Sequence, residues 1–422
     1  MIDAFAPIRD NSFLWHIRSG SLQMETARVL TEDPFSFTMA GVSWRTQSWL
    51  AELVYGFGEQ HSDLGFVPWM MLPLSVVTMA GIGLVAYRRS RSVWATAVVS
   101  LLSVTLLISF LVPRPVLFSY ALFALVLVSW DRPATRWALP FLFWLWASTH
   151  GSFVLGLAYI GLMWLAEKQW KQWPILLMSG LVTLLTAHGL GLVSVLLEFS
   201  ESSEALDLLT EWRKPELISY VFLPFVIGIV LIIVGAARRL IEPRHLWVLA
   251  PFLALGLTST RAVPAAWFGI VPLVAMSLRG MRFGREGRFS RGAFVVFSVF
   301  VAVLPFVVAA DATLDPERFP VEARLSLDDT PLFHDDRTGG YLIYQDWPDR
   351  LVYLDDRAEL YKEKLAEFVA VRDGDIDWEP VFERDGIQQA LLRKTDMVAT
   401  SLSEGGWVTV FEDENFVVLK PQ

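Results

Sequence analysis

The chain has no cysteine, which excludes disulfides, thiolate catalysis, cysteine-ligated zinc and iron–sulfur clusters. It also lacks a phosphate-cradling glycine loop, a metal-ligand histidine spacing and a serine-nucleophile motif. No tandem repeat or low-complexity tract is present, and no apolar run of membrane-spanning length occurs before about residue 65. Basic charge is scarce in one region above all. From Asp311 onward there are 26 acidic against 12 basic residues, whereas the remainder holds 18 and 23, so the formal net charge of -9 belongs to the C-terminal segment. An acidic segment of that kind does not suit a nucleic-acid binder.

What is abundant is apolar surface. Hydrophobic residues make up 54% of the 422, with 18 Trp and 29 Phe. Ten apolar stretches fall near 64–87, 92–112, 115–130, 137–149, 152–167, 174–190, 217–236, 245–260, 263–279 and 292–310. Most approach the length needed to cross ~30 Å of hydrocarbon, so the expected class is an α-helical polytopic membrane protein of about ten spans. The joints after alternate stretches are basic: Arg88, Arg89 and Arg91; Arg132 and Arg136; Lys168 and Lys171; Arg238, Arg239 and Arg244; then the arginines from Arg279 to Arg291. Simple alternation puts all of them on one side, the cytoplasm by the positive-inside rule. Residues 1–63 and 312–422 then face outward, on either side of a bundle formed by 64–311, and the protein is integral to the plasma membrane. An outward loop needs a preceding signal or membrane helix, and residues 1–7 are neither. The alternatives are a spanning helix upstream of Met1, which is the expected one, or translocation driven by the stretch 64–87.

The polar residues gather on the outward side. Within nine positions, Asp10 to Arg18, the first loop places a carboxylate, the imidazole of His16 and a guanidinium. Asp33 follows before Pro34-Phe35-Ser36, where it suits a turn or cap carboxylate as well as a second acid. Asp10 with His16 is read as catalytic, against a structural hydrogen-bonded pair fixing the loop. Glycine-containing breaks at Ser148–Ser152 and Thr186–Gly189, the first carrying His150, belong where a cavity or protein surrounds them. Arg114, Arg261 and the Glu211-Trp212 pair complete the outer set. Arginines could hold a phosphate by paired hydrogen bonds, or merely snorkel to the headgroups. Trp15, Trp44, Trp49 and Trp212 could stack on sugars, although Trp44 and Trp49 read more simply as interfacial anchors.

Residues 312–422 read as a small extracytoplasmic α/β domain. Strands are expected at 341–344, 351–354, 407–410 and 416–419, an amphipathic helix over 359–371, and turns at Thr338-Gly339-Gly340 and Glu404-Gly405-Gly406. Asp355, Asp356, Arg357 and Glu359 read as a salt-bridged strand-to-helix turn.

These features together resemble the GT-C membrane glycosyltransferases: an acidic first outward loop, many spans and a C-terminal extracytoplasmic domain. The chain is closer to a bacterial family of such membrane proteins. Asp10, Trp15 and His16 match its first-loop motif, with Ser12 in place of a second Asp. Asp33, Pro34, Phe35 and Ser36 match a second motif, and Trp49, Leu50 and Glu52 a third. The helix break matches at His150 and Gly151 with Ser148 in place of an Asn, and Glu211-Trp212 matches a loop. Gly339 to Ile343 and Asp355, Arg357, Glu359, Leu360 and Tyr361 match the C-terminal runs. The resemblance implies transfer of a sugar from a polyprenyl-phosphate donor to an extracytoplasmic glycan, lipid or protein acceptor. Asp10 would be the base, with His16 and Asp33 orienting it or the acceptor. Arg114, His150, Glu211, Trp212 and Arg261 would bind substrate. A divalent metal is compatible with such a site, and nothing in the sequence requires one. The competing classes are a transporter or lipid-flipping protein, against which stands the lack of an internal repeat, and a non-catalytic envelope assembly factor.

Overall fold

The structure is a computed structural model that describes residues 7–192, 214–216, 219–281 and 312–422. It is mostly helical with a small C-terminal sheet, and it divides into two compact units. One is built on Ser62–Val193 and Leu209–Ala312, the other on Pro7–His61 and Thr313–Gln422. The two segments that flank the apolar stretches in sequence therefore fold together.

The apolar unit contains α3 (Phe66–Ser90), α4 (Val93–Leu107), α5 (Val116–Trp130), α6 (Leu139–Thr149), α7 (Phe153–Ala166), α8 (Trp173–Leu181), α9 (Leu223–Ala237), α10 (Leu246–Thr258) and α11 (Val263–Ser277). Among the described residues, three helical runs are long and apolar enough to cross a membrane: Trp49–Ser90, Val93–Phe110 and Thr260–Ser277. Val116–Trp130, Phe153–Ala166 and Leu223–Ala237 are shorter apolar helices. The stretch expected at 292–310 lies outside the described residues. Ser92 starts α4 by accepting from the Ala95 amide at 3.2 Å, which satisfies a donor that the first turn leaves open. Phe123, Trp146, Tyr159, Phe252 and Phe268 pack at the centre. Buried indoles need an acceptor, and the Nε1 groups of Trp146 and Trp267 donate to Ser119 and Ser103, each at 2.9 Å.

The second unit begins with α1 (Ser12–Thr26) and α2 (Trp49–Ser62), two helices within the polar first loop. They cross with almost no separation. A Cβ at Gly20 would lie 1.8 Å from the Glu52 carbonyl oxygen, so only glycine fits there. The C-terminal part contains β1 (Leu332–His334), α12 (Asp336–Asp346), α13 (Ala358–Arg372), α14 (Trp378–Asp385), β2 (Gln389–Arg393), α15 (Met397–Glu404), β3 (Val408–Glu412) and β4 (Phe416–Lys420). The sheet order is β1-β2-β4-β3, with β1 parallel to β2 and the other pairs antiparallel. α1 packs on α12 where Gly340 lies under the Asn11 carbonyl, which a Cβ at Gly340 would approach to 2.8 Å.

Several local expectations for this segment are corrected. Residues 341–344, expected as a strand, are helical. Asp335 accepts from the Thr338 amide at 2.8 Å and starts α12, so Thr338–Gly340 is also a helical turn rather than a loop. Residues 351–354 form no strand, and Val352 makes only an isolated bridge to Ser36. The helix expected over 359–371 is α13, kinked at Lys362. The turn at Gly405-Gly406 and the strands near 407–410 and 416–419 are present.

Candidate functional site

The loop between α1 and α2 folds back on itself. Asp33 and Trp44 donate their amides to the carbonyls of Val42 and Thr31, each at 3.0 Å. The loop places Asp33 and Trp44 against Arg357, a guanidinium with no solvent exposure. Arg357 donates from Nε to Asp355 at 2.7 Å and forks onto it through Nη2. Its Nη1 lies 2.8 Å from Asp33, as an ion pair rather than an aligned hydrogen bond. Trp44 covers the guanidinium at 4.4 Å, with Phe35, Trp15 and Tyr361 between 5.3 and 5.9 Å. Burial works against this charge, but Asp355, Tyr361 and Asp33 outweigh it and hold Arg357 firmly protonated.

Asp33 is fully committed to this arrangement. It accepts from the amides of Phe35 and Ser36 at 3.2 and 3.1 Å and from the Ser36 hydroxyl at 2.5 Å. Its geometry is that of the turn carboxylate, with an added ion pair. The Asp355–Arg357 turn is salt-bridged, and Tyr361 also donates to Asp355 at 2.9 Å. Trp44, read as an interfacial anchor, is instead a buried wall of the arginine site.

On the other side of Trp15, His16 of α1 meets Glu52 of α2. Glu52 is completely buried and receives His16 Nδ1 at 2.9 Å, the Ser19 hydroxyl and Gln23 Nε2 at 2.6 Å each, and the Thr46 hydroxyl. That leaves His16 Nε2 as the nitrogen not engaged by Glu52. Asp10 is half-buried just before α1, and both it and Glu52 lie within electrostatic reach of the buried Tyr55. Asp10 precedes the helix that carries His16, while Asp33 belongs to the neighbouring arginine site. Between them, Trp15 Nε1 donates to Asp356 at 2.8 Å, and Ser12 donates to the other oxygen of Asp356. Ser12 is therefore bonded to a carboxylate. Burial, together with Asp335 and Asp356, pushes the nearby Asp336 up to about 7. Among the described residues, no group of three or more His, Asp or Glu side chains is arranged to hold a metal ion.

Arg114, His150 and Arg261 lie in the apolar unit, at one end of it. Arg114 precedes α5 by two residues, and Arg261 sits in the 3-10 turn before α11. Tyr120 near the start of α5 stacks on Phe268 near the start of α11 at 5.7 Å, so those two helices begin at the same level. His150 follows the last turn of α6, whose Trp146 bonds Ser119 of α5. The imidazole accepts from the Ser152 amide at 3.2 Å and lies 3.0 Å from the Ser152 hydroxyl. Ser152 continues to Ser119 at 2.9 Å, so His150 holds the helix break through a hydroxyl relay. Glu211 and Trp212 lie outside the described residues.

Glu52 is the site residue that reasoning from residue types passed over. Its signal was present: a carboxylate on the buried face of a short helix, one turn after a tryptophan. No family model and no curated protein matches this chain. The chemistry is therefore argued from these residues.

Proposed function

We propose that the protein is a GT-C-like membrane glycosyltransferase of about ten spans, with residues 7–61 and 313–422 extracytoplasmic. It would move a sugar from a polyprenyl-phosphate donor to an extracytoplasmic acceptor. The observation that carries this reading is the His16–Glu52 pair at 2.9 Å, with Asp10 two residues before the helix that carries His16. A buried carboxylate fixes one imidazole nitrogen, and a second carboxylate stands nearby, as proton transfer to an oriented base requires. In this reaction the acceptor oxygen forms a bond to the anomeric carbon as its proton passes to Asp10, with His16 orienting the acceptor. The bond from that carbon to the phosphate oxygen breaks, and the lipid phosphate leaves. Arg114 and Arg261, in the apolar unit, are assigned to a phosphate on their chemistry alone, because guanidinium forks suit its oxygens.

The test is binding of a panel of polyprenyl-phosphate sugars to the full chain in lipid nanodiscs, followed by transfer assays. Saturable binding lost in Arg114→Ala and Arg261→Ala, with transfer abolished in Asp10→Asn that still inserts, is the expected outcome. Wild-type transfer by Asp10→Asn would sink the assignment. One observation favours the assembly-factor reading: Asp33, Asp355 and Arg357, all of them motif residues, are consumed in holding the unit together. That reading predicts tolerance of Asp10→Asn in cells but not of Arg357→Met.

A further inference from the structure

The apolar unit carries a second constellation that sugar transfer does not use. At the C-terminal ends of α3 and α5, Arg88, Arg89, Arg91, Asp131 and Arg132 line a cleft of about 400 Å³. The negative charge is already spoken for. Arg89 donates Nε to Asp131 at 2.8 Å and reaches Glu167 through Nη1 at 3.1 Å. Arg88 donates to the Val128 carbonyl at 3.0 Å and makes no salt bridge among the described residues, although Asp131 lies within its electrostatic reach. Arg91 and Arg132 are exposed, and no ion pair is seen for either among the described residues. The cleft therefore keeps a net positive charge of three from its five lining residues.

The backbone adds an independent observation. Arg91 sits at φ +56°, in the left-handed region that glycine occupies most cheaply at a helix end. Lys168 after α7 and Arg239 after α9 repeat this at φ +53° and +59°, whereas Gly280 after α11 is a glycine at +77°. Three times a cation stands where local geometry favours glycine. The helix dipole rewards a cation anywhere in the last turn, so it does not explain this placement.

A third observation bears on the depth. Trp94, Trp137, Trp170, Trp173 and Trp247 are all exposed, and each lies close to the start of a helix or 3-10 turn that follows one of the basic joints. Exposed tryptophans that follow basic joints are typical of the headgroup zone of a bilayer.

We propose that this cleft binds the phosphate of an anionic lipid headgroup, with Arg88, Arg91 and Arg132 as its ligands. Arg89 is a positioning residue, held by Asp131 and Glu167 so that the other guanidiniums remain available. The ligand chemistry, a phosphate ester, is shared with soluble metabolites, and the lipid is favoured by the exposed tryptophans.

The experiment uses the full chain in a neutral detergent, titrated with dioleoyl phosphatidic acid, dioleoyl phosphatidylcholine or glycerol 3-phosphate and read by native mass spectrometry. Phosphatidic acid is expected to bind saturably and far more tightly than phosphatidylcholine. At about fivefold per arginine near a headgroup, Arg91→Gln/Arg132→Gln should weaken it by roughly 25-fold. Arg91→Gly separates binding from folding, because glycine suits φ +56°. It should weaken binding about fivefold while keeping or raising the melting temperature. Equal binding of phosphatidylcholine, or a double variant within twofold of wild type, would overturn the proposal. Glycerol 3-phosphate binding as tightly as phosphatidic acid would overturn the lipid as the source, in favour of a soluble phosphate.

Discussion

Arg357→Met is the most informative single perturbation of the second unit. The substitution removes two hydrogen bonds to Asp355, the 2.8 Å pair with Asp33 and the cation under Trp44. It leaves two carboxylates with no side-chain exposure. Asp33 keeps its two backbone amides and the Ser36 hydroxyl, while Asp355 keeps the residue 357 amide and Tyr361. Both remain hydrogen-bonded but lose their counter-charge. Breaking a buried ion pair from one side costs about 3–5 kcal/mol, a large part of a stability of roughly 5–15 kcal/mol. Because Arg357 joins the α1–α2 loop to the turn before α13, both segments should loosen together. Hydrogen exchange on the full chain in nanodiscs should show peptides over 30–48 and 350–361 opening roughly 10²–10⁴-fold more often. Adding Asp33→Asn in the Arg357→Met background should cost little, giving a coupling of about 2–3 kcal/mol. Faster exchange confined to 350–361, or a coupling near zero, would refute the view that Arg357 holds the loop.

Two further perturbations follow from the same unit. Asp336 is raised to about 7 by burial and by Asp335 and Asp356, so its protonated form favours the fold. Its contribution is fully present below about pH 4 and is lost as pH rises through 7. Asp336→Asn should therefore gain about 1–2 kcal/mol at pH 8, discounted for screening, and nothing at pH 4. Melting curves with the same difference at both pH values would contradict this. His334, lowered to about 4 chiefly by burial, acts in the opposite direction. Its stability is full above pH 6.5 and is lost as pH falls through 4, so it should dominate the acid limb of the Asp336→Asn variant. Glu52→Gln turns an amide NH₂ either toward the Ser19 and Gln23 donors on one oxygen or toward the Thr46 hydroxyl and His16 on the other. It should cost about 2–3 kcal/mol of local stability and accelerate exchange over 12–26. Unchanged exchange there would mean that Glu52 does not organise His16.

Helices apolar and long enough to cross a membrane, and the basic ends of the helices, were legible in the sequence because both follow from local counting: apolar length against bilayer thickness, and cations between apolar stretches. The Asp355–Arg357 turn was legible for the same reason, its partners being two residues apart. The helix over 336–346 was misread because Tyr341 to Tyr344 has strand-like residues. Asp335 capping the Thr338 amide and burial of Tyr341, Leu342 and Ile343 decided the matter. The turn that Asp33 makes with Phe35 and Ser36 was visible, but its ion pair with Arg357 and the partners of Trp15 and Trp44 were not, since those lie beyond the whole apolar region; Trp15 and Asp356 are 341 residues apart. Pairing at that range depends on which surfaces fold together, and no local pattern encodes it. Tertiary structure alone brought residues 7–61 and 313–422 into one unit, and with that it turned Asp33 into a structural counter-ion of Arg357; the packing of α1 on α2, within 7–61, made Glu52 the partner of His16.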